Sequence, residues 1–299
     1  MRLVIKSMQY IKSILLTAIA PIVWGSTYIV TTEMLPAESP LVASTIRALP
    51  AGIILVLFSN AYPQGIWWRR IAILGLLNIS LFFYCLFFAA TYLPGGMAAV
   101  VMSIQPLLIM VLSRYYLSMN YSVLQLSASG LGAIGVALLV LNSESQLNIT
   151  GVALGLLGAF SMALGVVLTK KWGKPKEMTT IGFTGWQLLF GGVALLPTSL
   201  WLEGIPQQLT LVNYAGYGYL SIVGAMLSYF LWFRGLESLP SVTVSFIGLL
   251  SSVSACLLGY IVLGETFTWW QSLGAIVVIL AIVLVASPTR SHSNVVIEN

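Results

Sequence analysis

The chain has 299 residues, of which 59% are hydrophobic and only 7% are charged. This composition lies far outside the range of soluble globular domains, so it indicates an integral membrane protein. The net charge of +5 would suggest an anionic partner for a soluble protein, but in a membrane protein the distribution of the charges matters more.

Ten apolar stretches are long enough to cross a bilayer as helices, which takes about 20 residues each. The first is retained as a span because no small-residue cleavage site follows it. The connections are short and leave no room for a soluble domain. The predicted spans are 12–32, 41–60, 70–91, 95–115, 122–141, 150–171, 180–200, 211–233, 240–262 and 269–286, followed by a cytoplasmic polar tail at 288–299.

The charges sort by side if the ten spans alternate in direction. Arg47 is the only basic residue that departs from this pattern, and the positive-inside rule then places both termini in the cytoplasm. The expected location is the inner (plasma) membrane. The basic residues of the cytoplasmic side are Arg2, Lys6, Lys12, Arg69, Arg70, Arg114, Lys170, Lys171, Lys174, Lys176, Arg234 and Arg290. The glutamates of the opposite side are Glu33, Glu38, Glu144, Glu203 and Glu265.

The two halves of the chain resemble each other. "YLPGGMAAVVMSIQPLL" begins at Tyr92 and "SLPSVTVSFIGLLSSVS" at Ser238, so their Leu-Pro pairs are 146 residues apart (239 − 93). A repeat of five spans places its second copy upside down, an arrangement common in transporters, with the substrate near the midplane. The predicted fold is therefore all-α integral membrane, with ten transmembrane helices as two inverted five-helix repeats, 1–145 and 146–287, around a central cavity.

Span 1 carries two aromatic residues at mid-depth, inside the interfacial belt where such rings ordinarily lie. Trp24 and Tyr28 are four residues apart and share one helix face. This placement favours a wall of the cavity, and ordinary packing is the alternative.

Span 2 contains Arg47 about seven residues from its outer end, roughly 10 Å deep. An arginine at such depth costs about 3 kcal/mol to insert, so it usually faces the bundle interior and has a partner. One hypothesis makes Arg47 a substrate anchor whose planar fork binds a carboxylate or carbonyl. The other makes it a structural residue tied to Glu33 and to carbonyls at helix ends.

The later spans supply further polar and aromatic candidates. Asn78 in span 3 either lines the cavity or bonds a neighbouring helix, and Pro106 predicts a kink in span 4, where Gln105 binds either substrate or the freed backbone groups. Leu93-Pro94-Gly95-Gly96 is interpreted as a tight corner. The remaining candidates for substrate binding, each of which is alternatively a packing or belt residue, are Tyr84, Trp186, Gln187 and Tyr229, with Trp232 nearby.

Several chemistries lack their usual groups in this sequence. Cys85 and Cys256 lie in apolar runs without a second cysteine at ligand spacing, and His292 is in the tail, so no metal and no cofactor are expected. No carboxylate lies at mid-membrane, which leaves Glu33 and Glu265 as titrating groups for ion coupling. The sequence also has no nucleotide-binding motif, so ATP drive from this chain is excluded.

Four stretches together resemble the EamA branch of the drug/metabolite transporter superfamily, and most closely its exporters of the blue pigment indigoidine. They are "APIVWGSTYIVT" (Ala20 to Thr31), "IRALPAG" (Ile46 to Gly52), "LPGGMAAVVMSIQPL" (Leu93 to Leu107) and "LGYIVLGETFTWWQSLGAIVVILAIVLV" (Leu258 to Val285). The resemblance implies a ten-helix carrier that exports small metabolites, amino acids or xenobiotics by alternating access. It also implies that spans 5 and 10 stand apart from the central cavity.

The favoured function is a secondary active exporter of small, partly apolar metabolites. The alternatives are a non-transporting scaffold or sensor and a flippase for lipid-linked substrates, while an intramembrane enzyme lacks the residues it would need. The expected partners are a small-molecule substrate and the lipid bilayer, without nucleic acid, and a homodimer is left open.

Overall fold

The computed structural model describes residues 2–36, 39–93, 97–140, 148–264 and 268–286, and these residues form helices and no strand. We label the membrane helices α1 to α10 in chain order. Six are unbroken: α1 (Arg2–Met34), α2 (Pro40–Ser59), α5 (Val123–Val140), α6 (Ile149–Trp172), α7 (Thr180–Leu202) and α10 (Trp269–Ala286). Four are interrupted: α3 (Trp67–Gly75, Leu76–Ser80, Leu81–Tyr92), α4 (Met97–Met102, Gln105–Leu117), α8 (Leu211–Ser221, Ile222–Leu227, Ser228–Ser238) and α9 (Ser241–Gly248, Leu250–Leu263).

These helices confirm the predicted set of membrane spans. Within the described residues, nine are long and apolar enough to cross a membrane, and α5 falls slightly short with its apolar stretch Val123–Leu139. The predicted bounds differ clearly in two places, since α1 begins at Arg2 instead of residue 12 and α8 continues to Ser238 instead of residue 233. A helix satisfies its own backbone hydrogen bonds, so it need not end where the apolar sequence ends.

The proline of α4 breaks that helix, as predicted. Its two pieces meet at residues 103 and 104, just before Pro106, which has no N–H to donate to the carbonyl of Met102. The corner predicted at Leu93 begins with extended backbone at that residue, and 94–96 lie outside the described residues. Leu239 and Pro240 form the equivalent corner between α8 and α9.

Glycines allow two pairs of helices to approach closely. A methyl group on Gly185 of α7 would lie 2.7 Å from the Cβ of Leu55 on α2, and one on Gly192 would lie 2.7 Å from the backbone of Leu49. A methyl group on Gly274 of α10 would lie 2.6 Å from the carbonyl oxygen of Gly135 on α5. We call these contacts the α2–α7 seam and the α5–α10 seam.

The other helix contacts follow the symmetry of an inverted repeat. Helix α1 packs against α8 and α9, and α6 packs against α3 and α4. If each helix is replaced by its counterpart in the other repeat (α1 by α6, α2 by α7, and so on), the contacts of α1 become the contacts of α6. The same replacement exchanges α2 with α7 and α5 with α10, so each seam pairs two counterparts. The ten helices therefore form two inverted five-helix repeats.

Candidate substrate site

The first polar centre lies at the middle of α8, where Ile222–Leu227 adopts π-helical geometry. The carbonyl oxygen of Gly224 accepts two side-chain hydrogen bonds there. Trp24 Nε1 of α1 donates to it at 3.1 Å, and Arg47 Nη2 of α2 donates at 2.9 Å. π segments inside α-helices occur frequently at functional sites, because their altered hydrogen bonding frees backbone groups.

Arg47 is buried, with 6% of its surface exposed. Its guanidinium remains charged at any physiological pH. Its Cζ atom lies 5.1 Å from the centre of the Phe83 ring, which is close enough for a cation–π contact. Glu33, the carboxylate proposed as its partner, lies exposed near the end of α1.

Aromatic rings surround this centre. The Trp24 ring lies 5.1 Å from the rings of both Tyr229 and Trp232, and the Phe83 ring lies 6.3 Å from that of Tyr229. Tyr229 and Trp232 are almost completely buried, with 1% and 2% of their surfaces exposed. A planar solute could stack on such rings while a polar group on it reaches Arg47.

The second polar centre lies in α3, where Leu76–Ser80 also adopts π-helical geometry. Asn78 Nδ2 donates to Gln187 Oε1 of α7 at 2.9 Å and to Thr169 Oγ1 of α6 at 3.4 Å. Ser161 Oγ of α6 donates to the carbonyl oxygen of Leu77 at 2.8 Å. Asn78 and Gln187 have no exposed surface, so their amides join helices.

The two centres occupy equivalent places in the repeat. The offset between the Leu-Pro corners, 146 residues, also relates Asn78 to Gly224 (224 − 78). Aligning Pro40, the first residue of α2, with Thr180, the first residue of α7, relates Arg47 to Gln187. In each half, a polar side chain from the second helix of one repeat therefore contacts the π segment in the third helix of the other.

The remaining predicted residues have other described contacts or none that the structure describes. Trp186 Nε1 donates to the carbonyl oxygen of Ala61 at 2.7 Å, in the connection between α2 and α3. Tyr84 is half-buried with its ring 4.6 Å from that of Phe88, and Gln105 is half-buried at the start of the second piece of α4. Tyr28 lies in α1, and its side chain is outside the described part of the structure.

Charged side chains hold two helix ends. The carboxylate of Glu203 accepts hydrogen bonds from the backbone N–H groups of Leu41 and Val42 at 2.9 and 2.8 Å, which caps the start of α2. Lys170 Nζ donates to the carbonyl oxygens of Leu236 and Leu239 at 2.7 and 2.8 Å, at the end of α8. Glu265 lies outside the described residues, and no cluster of three metal-ligating side chains occurs within them.

The sequence did not reveal four participants in these centres. Phe83 has no polar group that distinguishes it among the apolar residues of α3. Ser161 and Thr169 are common helix residues with no distinguishing neighbours. The carbonyl of Gly224 belongs to the backbone, and only its equivalence to Asn78 in the repeat could have drawn attention to it.

The apolar helices of membrane-crossing length among the described residues define a multi-pass membrane protein. The EamA-like transporter family matches residues 11–141 and 149–287. The chain belongs to that family, which confirms the resemblance found in the sequence.

Individual relatives support this assignment. The chain is 47% identical over 266 residues to Protein PecM of Dickeya dadantii (strain 3937), covering 89% of each protein. It is 30% identical over 286 residues to the WAT1-related protein At3g02690, chloroplastic, of Arabidopsis thaliana, covering 89% of this chain and 67% of the relative. It is 31% identical over 187 residues to the uncharacterized inner membrane transporter YedA of Escherichia coli (strain K12), covering 60% of this chain and 59% of that protein.

A solved structure, described only as the crystal structure of a protein, has the same fold. It superposes with a TM-score of 0.76 at 14% identity and covers 91% of this chain and 96% of that one. At such low identity the likeness concerns the fold alone.

Proposed function

We propose that the protein is a secondary active exporter of small planar metabolites, such as amino-acid-like, aromatic or pigment-type compounds, by alternating access. The observation that carries the proposal is the convergence of Arg47 and Trp24 on the carbonyl of Gly224, at mid-membrane and among aromatic rings. A buried charge in a membrane helix is expensive, and such residues usually mark solute pathways.

The proposed substrate anchor is Arg47. A carboxylate or carbonyl oxygen of the solute would replace the oxygen of Gly224 as an acceptor for Arg47 and Trp24. After the exchange, Arg47 and Trp24 each keep an acceptor, so neither donor is left without a partner. Tyr229 and Phe83 would contact the apolar body of the solute.

The proposed transport cycle uses the inverted repeat. The units 1–145 and 146–287 would exchange conformations, which opens the site first to one side and then to the other. Both termini are proposed to be cytoplasmic in an inner-membrane protein, as the basic residues indicate. The proposed direction of transport is outward.

The orientation can be tested by labelling single cysteines in a variant without Cys85 and Cys256. Both Gln64→Cys and Lys174→Cys should react with an impermeant maleimide from the cytoplasmic side. Labelling of the two positions from opposite sides would contradict the inverted topology.

The function can be tested in proteoliposomes. Amino acids and pigment precursors would first be screened for their effect on the melting temperature of the purified protein. We expect at least one stabilising compound, and we expect liposomes loaded with it to take up the labelled compound by counterflow. A stabilising compound without counterflow would favour the sensor hypothesis, and counterflow limited to lipid-linked compounds would favour a flippase.

A further inference from the structure

Three buried hydroxyl groups on α1 and α8 have no hydrogen-bond partner in the described part of the chain. They are Thr27 Oγ1 on α1, and Tyr217 Oη and Ser221 Oγ on α8. Only 5% of the surface of Tyr217 and 6% of that of Ser221 is exposed. A buried polar group without a partner is costly, and it often indicates a water molecule or ligand that binds there.

The two hydroxyls of α8 lie along the face that meets α2. Tyr217, Ser221 and Gly224 are spaced by four and three residues, which places them on one side of the helix. Tyr217 belongs to a packed cluster that includes Ala43, one turn before Arg47 on α2, and Gly224 accepts the hydrogen bond from Arg47. Ser221 lies between these two contacts, on the outer side of Arg47 in the proposed orientation.

Thr27 lies at a similar depth. It follows Trp24 by three residues on α1, and Trp24 bonds to Gly224. The neighbouring Ser26 forms a hydrogen bond of 2.6 Å with Tyr219, which fixes this part of α1 beside the segment of α8 that carries Ser221.

Other hydroxyls in the same two helices have backbone acceptors. Thr31 Oγ1 donates to the carbonyl oxygen of Thr27 at 2.7 Å, and Ser228 Oγ donates to that of Val223 at 2.7 Å. Serine and threonine in helices ordinarily find such backbone acceptors. Thr27 and Ser221 depart from this behaviour.

We propose that Thr27, Tyr217 and Ser221 form, together with Arg47, the binding subsite for a carboxylate of the transported solute. This inference rests on the proposed function. A carboxylate has two oxygens with about four acceptor positions, which suits three O–H donors and a guanidinium. Arg47 can only donate, so the subsite favours an anion over a cation. The acid group would point outward, and the aromatic body would lie toward Trp24 and Tyr229.

The test uses two probes of similar shape, indole-3-acetate and its neutral amide indole-3-acetamide, with the purified full-length protein. We expect the wild type to bind the acid at least about 10-fold more tightly than the amide, since hydrogen bonds to charged groups are the stronger ones. Tyr217→Phe and Ser221→Ala should each weaken acid binding about 10-fold and change amide binding less than about 2-fold. Tyr219→Phe is the matched control, because its hydroxyl already has a partner in Ser26.

The melting temperature of the unliganded protein separates ligand binding from a structural role. Tyr217→Phe and Ser221→Ala remove polar groups without partners, so they should keep or raise the melting temperature, whereas Tyr219→Phe should lower it. An unchanged ratio of acid to amide affinity in both variants would overturn the proposed subsite. The hydroxyls would then be explained as groups that bind water. Failure of the wild type to bind either probe would overturn it as well.

Counterflow of the same probes tests the proposed transport function separately from the proposed subsite. Selective binding of the acid without flux of either probe would support the subsite and contradict the transporter. Flux of both probes with equal affinity would support the transporter and contradict the subsite.

Discussion

The two π segments show how an inverted duplication can keep one scaffold and give its halves different chemistry. In α8 the π segment meets a charged guanidinium and an indole, among aromatic rings and hydroxyls without partners. In α3 the equivalent segment meets Gln187, and the amides of Asn78 and Gln187 bond to each other. We propose that a solute uses the donors of the first centre, whereas the second joins three helices. Equivalent positions in the repeat therefore do not imply equal roles.

The largest expected effect concerns Arg47, the charged residue of the centre in α8. Arg47→Gln should reduce efflux at least about 100-fold, because both the charge and the bidentate geometry are lost, while the protein remains inserted and abundant. Transport in proteoliposomes and protein content by immunoblot are the measurements.

Arg69→Gln is the matched control for that variant. Arg69 is an exposed arginine near the start of α3, so its replacement should leave efflux unchanged. Normal efflux in Arg47→Gln would show that Arg47 does not anchor the substrate. Both centres would then have only a structural role.

Replacing either member of the amide pair, Asn78 or Gln187, should lower the stability of the protein. Asn78→Leu or Gln187→Leu leaves the other amide buried without its partner and should cost about 1 to 3 kcal/mol. Replacing both should cost less than the sum of the single changes, because no amide then remains without a partner. Thermal unfolding in detergent measures the three variants, and additive losses would show that the two amides do not interact.

Gly165→Ala tests how closely α6 covers Asn78. A methyl group there would collide with the Asn78 amide, and overpacking of this kind typically costs about 1 to 3 kcal/mol. Gly130→Ala on α5 is the control, since nothing lies within 4 Å of its added methyl group. A loss of thermal stability in the control as large as that in Gly165→Ala would refute the proposed collision.

The smallest expected effect concerns the aromatic wall. Trp24→Phe keeps a ring and removes the donor to Gly224, so it should change selectivity among transported compounds about 3-fold to 10-fold with little loss of protein. Competition in the counterflow assay measures the selectivity. Unchanged selectivity in both Trp24→Phe and Trp24→Ala would make this residue a packing residue only.

The sequence predicted the features that depend on composition and on single residues. The ten spans follow from length and hydropathy, the inverted repeat follows from the Leu-Pro corners, and the break in α4 follows from the missing N–H of Pro106. These signals are local or periodic, so they need no knowledge of helix packing.

The sequence singled out Trp24, Arg47, Asn78 and Gln187, but which side chains contact each other was beyond reach for a physical reason. Neither Leu76–Ser80 nor Ile222–Leu227 contains a proline, so no residue in the sequence marks these π segments. Phe83 follows the first of them, and its ring centre lies 5.1 Å from Cζ of Arg47. The partner of Asn78 lies on α7, 109 residues away along the chain, and only the packing of the helices brings them together. The bond from the Trp186 indole to the connection between α2 and α3 likewise depends on helix packing.

The glycine seams have a consequence for a polypeptide that contains only one of the two halves. The α2–α7 and α5–α10 seams join a helix of the first repeat to its own counterpart in the second. A single half would leave both of these narrow backbone surfaces facing lipid. It could cover them only by pairing with another five-helix chain inserted upside down, so the covalent link between the halves guarantees the antiparallel neighbour that each one needs.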